Sequence, residues 1–144
     1  MQTITDYMSA EHHHCDDLFA DAEAAAAKND LIAAQAGFTA FHHEMQRHLA
    51  KEENIMFPAF EKATGSSMGP TSVMRMEHEQ MRELFAEMQA ALDAKNTHTY
   101  AGLSETLLVL MQQHNFKEEQ MLYPMADRAL QERDSVIQQM GAMQ

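Results

Sequence analysis

A chain of 144 residues, 45% of them hydrophobic and with only five Gly and three Pro, is long enough to bury a real core. Its formal net charge of −12 excludes the basic patch that nucleic acid or an anionic membrane surface would need. A single Cys excludes an internal disulfide and fits a reducing, cytoplasmic setting, and no apolar run suggests a signal peptide or a membrane span.

Ala, Met, Leu, Glu and Gln dominate over Val and Ile, which predicts an all-α chain. The first helix starts after Thr3 or Thr5, with Asp6 in its first turn, and runs to about Ala27. Its inward stripe reads Met8, His12, Cys15, Phe19, Ala22. Lys28-Asn29-Asp30 is a polar turn, and Asp30 can cap a second helix running to about Ala63, bent near Pro58. There the stripe is Phe41, Met45, His48, Glu52, Ile55, Ala59. Thr64 to Pro70 has linker chemistry. Pro70 or Thr71 then opens a third helix with the stripe Met74, His78, Met81, Phe85, Met88, Leu92. After the turn Lys95-Asn96-Thr97, the fourth helix carries Leu107, Leu110, Met111, His114, Glu118, Met121, Leu122 inward. A short fifth helix is expected from about Asp134 to Met140.

The helices form two copies of one hairpin, offset by 66 residues. His48-Leu49-Ala50-Lys51-Glu52-Glu53 recurs as His114-Asn115-Phe116-Lys117-Glu118-Glu119, and Glu11-His12 recurs as Glu77-His78. Phe57-Pro58 recurs as Tyr123-Pro124, and Leu18-Phe19-Ala20 as Leu84-Phe85-Ala86. The expectation is a single domain over 1–144, with repeat halves at about 5–63 and 71–129.

In an antiparallel hairpin, residues equidistant from the turn share a height along the axes. Residues 30 and 96, midway between His12 and His48 and between His78 and His114, both fall in the polar turns. An up-down-up-down four-helix bundle therefore brings all four His to one level, with Glu52 and Glu118 one turn away on the same faces. Taken singly, each His reads as a hydrogen-bonded core residue. Buried together, four imidazoles and two carboxylates suit two divalent transition metals, and the donor set leaves Fe, Zn, Cu and Ni open.

The pattern Glu-His, then His-x-x-x-Glu-Glu followed by aromatic-Pro, twice, resembles the hemerythrin-like (HHE cation-binding) domains from about Thr5 to Ala129. The resemblance implies a bundle holding two iron ions in a non-haem di-iron centre, carboxylate- and oxo/hydroxo-bridged. It assigns His12 and His48 to one iron, His78 and His114 to the other, and Glu52 and Glu118 as bridges. The oxygen carriers of the family have a further His four residues after the third-helix His, where this chain has Arg82 and, in the repeat, Asp16. They also place the last carboxylate where this chain has Glu119; Glu118 lies nearer the centre of the stripe and is preferred, with Glu119 as the alternative. Fewer imidazoles lower the expectation of reversible oxygen carriage and favour sensing or processing of O2, peroxide or nitric oxide, a small diatomic or peroxide ligand. An iron reservoir or donor, or an O2-binding protein without turnover, is the alternative. A metal-free helical interaction module is the alternative of another class. With no room for an output domain in 144 residues, a sensor would act through a separate protein partner.

The remaining candidates read more plainly. His13, His14, His42, His43 and His98 are expected to face solvent. Glu11 with His14 forms one ExxH of the ferritin type, but its repeat mate is Glu77 with Gln80. Cys15 reads as a small buried hydrophobe, with a redox partner as the sharper alternative. Tyr123 reads as packing, with a hydroxyl near the pocket as the alternative. Asp16 and Arg82 are a candidate pair beside the site, or boundary residues. Glu53 and Glu119 are either partners of the ligand imidazoles or exposed acids.

Overall fold

A computed structural model describes residues 2–143. It is all-α, with no strand among the described residues. Helix α1 (Ile4–Ala27) begins where the Thr3 side chain accepts the Asp6 N–H. Its first donors are met from the far end of the chain. Asp127 accepts the Ile4 N–H at 2.7 Å on Oδ1, and the Thr5 N–H and hydroxyl at 3.2 and 2.7 Å on Oδ2. A carboxylate there both satisfies orphan N–H groups and complements the helix dipole. Asp127→Ala is expected to cost the metal-free protein about 1–2 kcal/mol. The expected readout is a lower urea midpoint at unchanged slope; an unmoved midpoint would contradict this account of the helix start.

Helix α2 (Leu31–Lys51) is capped by Asp30, and α5 (Thr97–Lys117) by Asn96, at matching places in the two halves. The turns before them match too. Asn29 and Lys95 adopt left-handed φ of 56° and 61°, and the next residue's N–H returns to Ala25 or Ala91 at 3.0 and 2.8 Å. Helix α4 (Pro70–Asp93) completes the square: α1 packs against α2 and α5, and α4 against α5 and α2. The chain closes with α7 (Arg133–Gly141), whose Val136 and Met140 pack beside Ile4 and Met8. Among the described residues no helix is long and apolar enough to cross a membrane.

Both long second rods contain a wide π-helical turn. π1 (Glu52–Met56) joins α2 to α3 (Phe57–Thr64), and π2 (Glu118–Leu122) joins α5 to α6 (Tyr123–Ala129). In each, an N–H reaches five residues back: Phe57 to the Glu52 carbonyl and Tyr123 to the Glu118 carbonyl. The following Pro58 and Pro124 have no N–H to place, so the wide turn forfeits little there.

The extra residue moves the inward register by one, and here the sequence-based stripes need correction. Ile55 and Ala59 are only half-buried; Met56, Phe57 and Phe60 take their place. In the other half Met121 is 59% exposed, while Leu122 and Tyr123 turn inward. Leu110 is half-buried beside Leu107 and Met111. A 3.6-residue period cannot be carried across an insertion.

Candidate metal centre

The apolar interior is two cores. One, around Phe19, Phe41, Phe85 and Tyr100, fills the turn end. The other, around Ile4, Phe57, Phe60 and Tyr123, fills the end closed by α7. His12, His48, His78, His114, Glu52 and Glu118 are all buried, one from each of α1, α2, α4 and α5 and one at the start of each π-turn. Ring centroids of His12 and His48 are 4.8 Å apart and those of His78 and His114 are 5.0 Å apart, so the expected common level is observed.

The six residues form two overlapping groups whose potential ligand atoms lie within 4.8 Å of one another: Glu52, His78, His114 and Glu118, and His12, His48 and Glu118. The four Nε2 atoms turn inward. Glu52 Oε1 lies 3.2 Å from His78 Nε2 and 3.5 Å from His48 Nε2; Glu118 Oε1 lies 3.2 Å from His114 Nε2 and 3.1 Å from His12 Nε2. Near as they are, Nε2 of His48, His78 and His114, Oε1 of Glu52 and Oε2 of Glu118 make no hydrogen bond. Buried polar atoms without partners cost about 1–3 kcal/mol each. Five aimed at one another fit a set of lone pairs that converge on cations.

An outer ring fixes those lone pairs. Every Nδ1 meets a carboxylate: His12 with Glu119 at 2.6 Å, His48 with Glu11 at 2.9 Å, His78 with Glu53 and His114 with Glu77, both at 2.7 Å. A carboxylate only accepts, so each Nδ1 carries a proton and Nε2 is the ring atom turned inward; where His12 and His78 hold a second proton there, a cation would take its place. The carboxylates are braced in turn, Glu11 by Lys51, Glu77 by Lys117, and Glu53 by a two-pronged bond from Arg82 at 2.7 and 2.9 Å.

Burial opposes charge throughout this layer, and specific partners overcome it. His48 and Lys51 hold Glu11 down at about 2, as His78 and Arg82 do Glu53. Glu118 and Glu119 push His12 up to about 10, and Glu52 and Glu53 push His78 up to about 9. Of the central acids, burial and the Glu118 charge drive Glu52 up, while His114 and the surrounding hydrogen bonds hold Glu118 well below its ordinary value despite burial. Two acids kept apart this way accept a positive charge between them readily.

The two halves differ at two points. Phe57 stacks on His78 at 5.5 Å, but its mate Tyr123 carries a hydroxyl 2.7 Å from Glu52 Oε2, 2.8 Å from Glu118 Oε1 and 3.1 Å from His12 Nε2. Arg82 binds Glu53 and Glu79, whereas its mate Asp16 is exposed, so the two do not form the pair the sequence allowed. Glu53 and Glu119 are partners of imidazoles. Glu119 serves Nδ1 of His12, while Glu118 faces the centre.

Glu11, Glu77, Lys51 and Lys117 are the functional neighbours that sequence reasoning did not assign. Their recurrence at the 66-residue offset, beside each His, is the signal that could have found them. Glu11 serves His48, in place of the ferritin-type pairing with His14. His13, His14, His43 and His98 are exposed, but His42 is half-buried, stacked on Phe38 at 5.4 Å, and burial lowers its pKa. Cys15 is buried, and burial with the charges of Glu11 and Glu44 pushes its thiol up to about 12. Against a free thiol near 8.5 this cuts the thiolate fraction by about three orders of magnitude, so alkylation of the native protein at pH 8 is expected to be slower by that order. Labelling at the unfolded rate would contradict the burial.

The model of the hemerythrin HHE cation-binding domain family matches residues 3–126. The chain is 35% identical over 98 residues to the iron-sulfur cluster repair protein YtfE of Escherichia coli O1:K1 and of Escherichia fergusonii. It is 34% identical to the same-named protein of Enterobacter sp. strain 638. Each alignment covers 61% of this chain and 44% of the relative, so the matched stretch is under half the relatives' length. No solved structure matches.

Proposed function

Because the chain belongs to the hemerythrin HHE cation-binding family, we propose that it is a cytoplasmic non-haem di-iron protein that senses or processes O2, peroxide or nitric oxide. His12 and His48 would hold one iron, His78 and His114 the other, with Glu52 and Glu118 between them. The observation that carries this reading is the set of buried Nε2 and carboxylate atoms that meet no hydrogen-bond partner and face one another. Bound iron would supply electron exchange with a small oxidising or nitrosyl ligand. The protein's part is to hold each ring by Nδ1, so that its Nε2 stays a donor, and to seal the layer from water between two apolar cores. Tyr123 supplies a hydroxyl proton inside that layer.

The test is iron content followed by reactivity. About two irons per chain, with nitric oxide or peroxide consumed in excess of the protein, supports processing. Consumption limited to one equivalent, with a reversible spectral change, supports sensing. Reversible O2 storage would overturn both. A second reading, iron supply without turnover, is favoured by the likeness to proteins named for iron-sulfur cluster repair. It predicts release of iron to an acceptor with no consumption of either small molecule.

A further inference from the structure

The two halves of the site are built from one repeated unit, so whatever distinguishes them stands out against that background. His48 and His114 are braced alike, Glu11 with Lys51 for one and Glu77 with Lys117 for the other, although Lys51 is buried and also bonds the Tyr7 hydroxyl while Lys117 is partly exposed. The difference at the imidazoles themselves is sharpest between His12 and His78. His78 is held by Glu53, itself gripped by the Arg82 guanidinium, and lies flat against Phe57. His12 is held by Glu119, a carboxylate with no arginine on it because the repeat mate of Arg82 is Asp16. In compensation Tyr123 places its hydroxyl among His12 Nε2, Glu118 Oε1 and Glu52 Oε2. The convergent groups differ as well: Glu52 and Glu118 both converge with His78 and His114, whereas Glu118 alone converges with both His12 and His48, Glu52 reaching His48 at 3.5 Å.

We infer that the two cation positions are unequal and fill in order: the Glu52/His78/His114/Glu118 position first, with Arg82 as its positioning residue, and the His12/His48/Glu118 position second, with Tyr123 as its positioning residue. The inference rests on the two-cation reading above. A dication is held more tightly where two carboxylates and a fixed imidazole face it than where one carboxylate does. Arg82 acts through Glu53, whose orientation sets that of the His78 ring. Tyr123 acts through Glu118. A carboxylate has lone pairs enough to bind a cation and still accept the phenol's hydrogen bond, so the hydroxyl aims Glu118 without competing for it. Phe57, lacking a hydroxyl, can do nothing equivalent on the other side.

The metal-free full chain is titrated anaerobically with cobalt(II), followed by calorimetry and by the visible bands of the ion. The wild type is expected to show two steps, the second weaker. Tyr123→Phe should weaken the second step about tenfold and the first, which has a second carboxylate and Arg82 behind His78, by clearly less; Arg82→Gln should weaken the first about tenfold and spare the second. Melting of the metal-free variants verifies that each is folded; Arg82 is only half-buried and Tyr123→Phe removes one atom. Two indistinguishable wild-type steps, or variants that both move chiefly the same step, overturn the inference and leave the two-cation reading standing. No cobalt uptake by the wild type overturns that reading, and the ordering falls with it.

Discussion

Replacing Glu52 and Glu118 together by Gln is expected to empty the site of iron and still leave the metal-free protein within about 1 kcal/mol of the wild type, or more stable. Both carboxylates are completely buried and both Oε1 atoms point at imidazole Nε2 atoms. They are the two negative charges among the six central groups, and without them four neutral rings must hold dications unaided. Loss of affinity should exceed the 10–100-fold that outer partners of a metal site are worth. The empty protein loses little. An amide keeps the volume, the repulsion between Glu52 and Glu118 is gone, and His12 and His78 keep Glu119 and Glu53 on Nδ1 while losing the inward acid that helped to charge them. Elemental analysis should fall from about two irons per chain to near none, while the urea midpoint of the metal-free form holds. Iron retained at wild-type level would remove Glu52 and Glu118 from the site; a collapsed midpoint would mean that they support the fold itself.

Removing the metal from the wild type is the second large effect. A ligand that binds only the folded state at a thousandfold above its dissociation constant adds about 4 kcal/mol. For a chain of this size that is a melting shift on the order of 10 °C. The pH dependence has a definite sign. In the metal-free protein His12 stands at about 10 and His78 at about 9, against 6.5 for the ordinary ring. Raised values stabilise the fold in full below about pH 6.5; the contribution declines from there and is gone above about pH 10. The metal-free protein should therefore melt progressively lower from pH 6 to pH 9. The iron-loaded form, whose imidazoles hold metal in place of the extra proton, should lose less over the same range. Melting curves of the two forms that fall in parallel would show that these rings do not exchange protons for iron.

The residues most legible in the sequence were those governed by local rules. Thr3 and Asp30 cap because a short polar side chain meets free N–H groups, as Asn96 in the second polar turn also does, and apart from half-buried Leu110 the inward stripes held up to Glu52 and Glu118 because helical spacing fixes which side chains share a face. Beyond those residues the period failed, since a π-turn adds a residue without leaving a mark in the pattern of apolar positions. Pro58 and Pro124 were the available hint, read as a bend and not as an insertion. The central His and Glu were legible through duplication and equal spacing. The outer ring was read only as a repeated pattern: Glu11, Glu77, Lys51 and Lys117 lie beside the stripes, and without packing a charged residue there reads as solvated as readily as braced, although Lys51 and Glu77 prove to be buried. Which half receives Tyr123 and which Arg82 could be read directly. That both face the site depended on packing.

The layering of the interior has a consequence for how the molecule comes apart. Each of the four long rods runs through one apolar core, across the layer of imidazoles and carboxylates, and into the other core. Neither core can separate as an independent unit, yet only that layer transmits packing from one to the other. A cation shared across it, as proposed, would tighten the coupling between the two cores; without it, protons and hydrogen bonds would carry that coupling, and cooperativity across the bundle would follow occupancy.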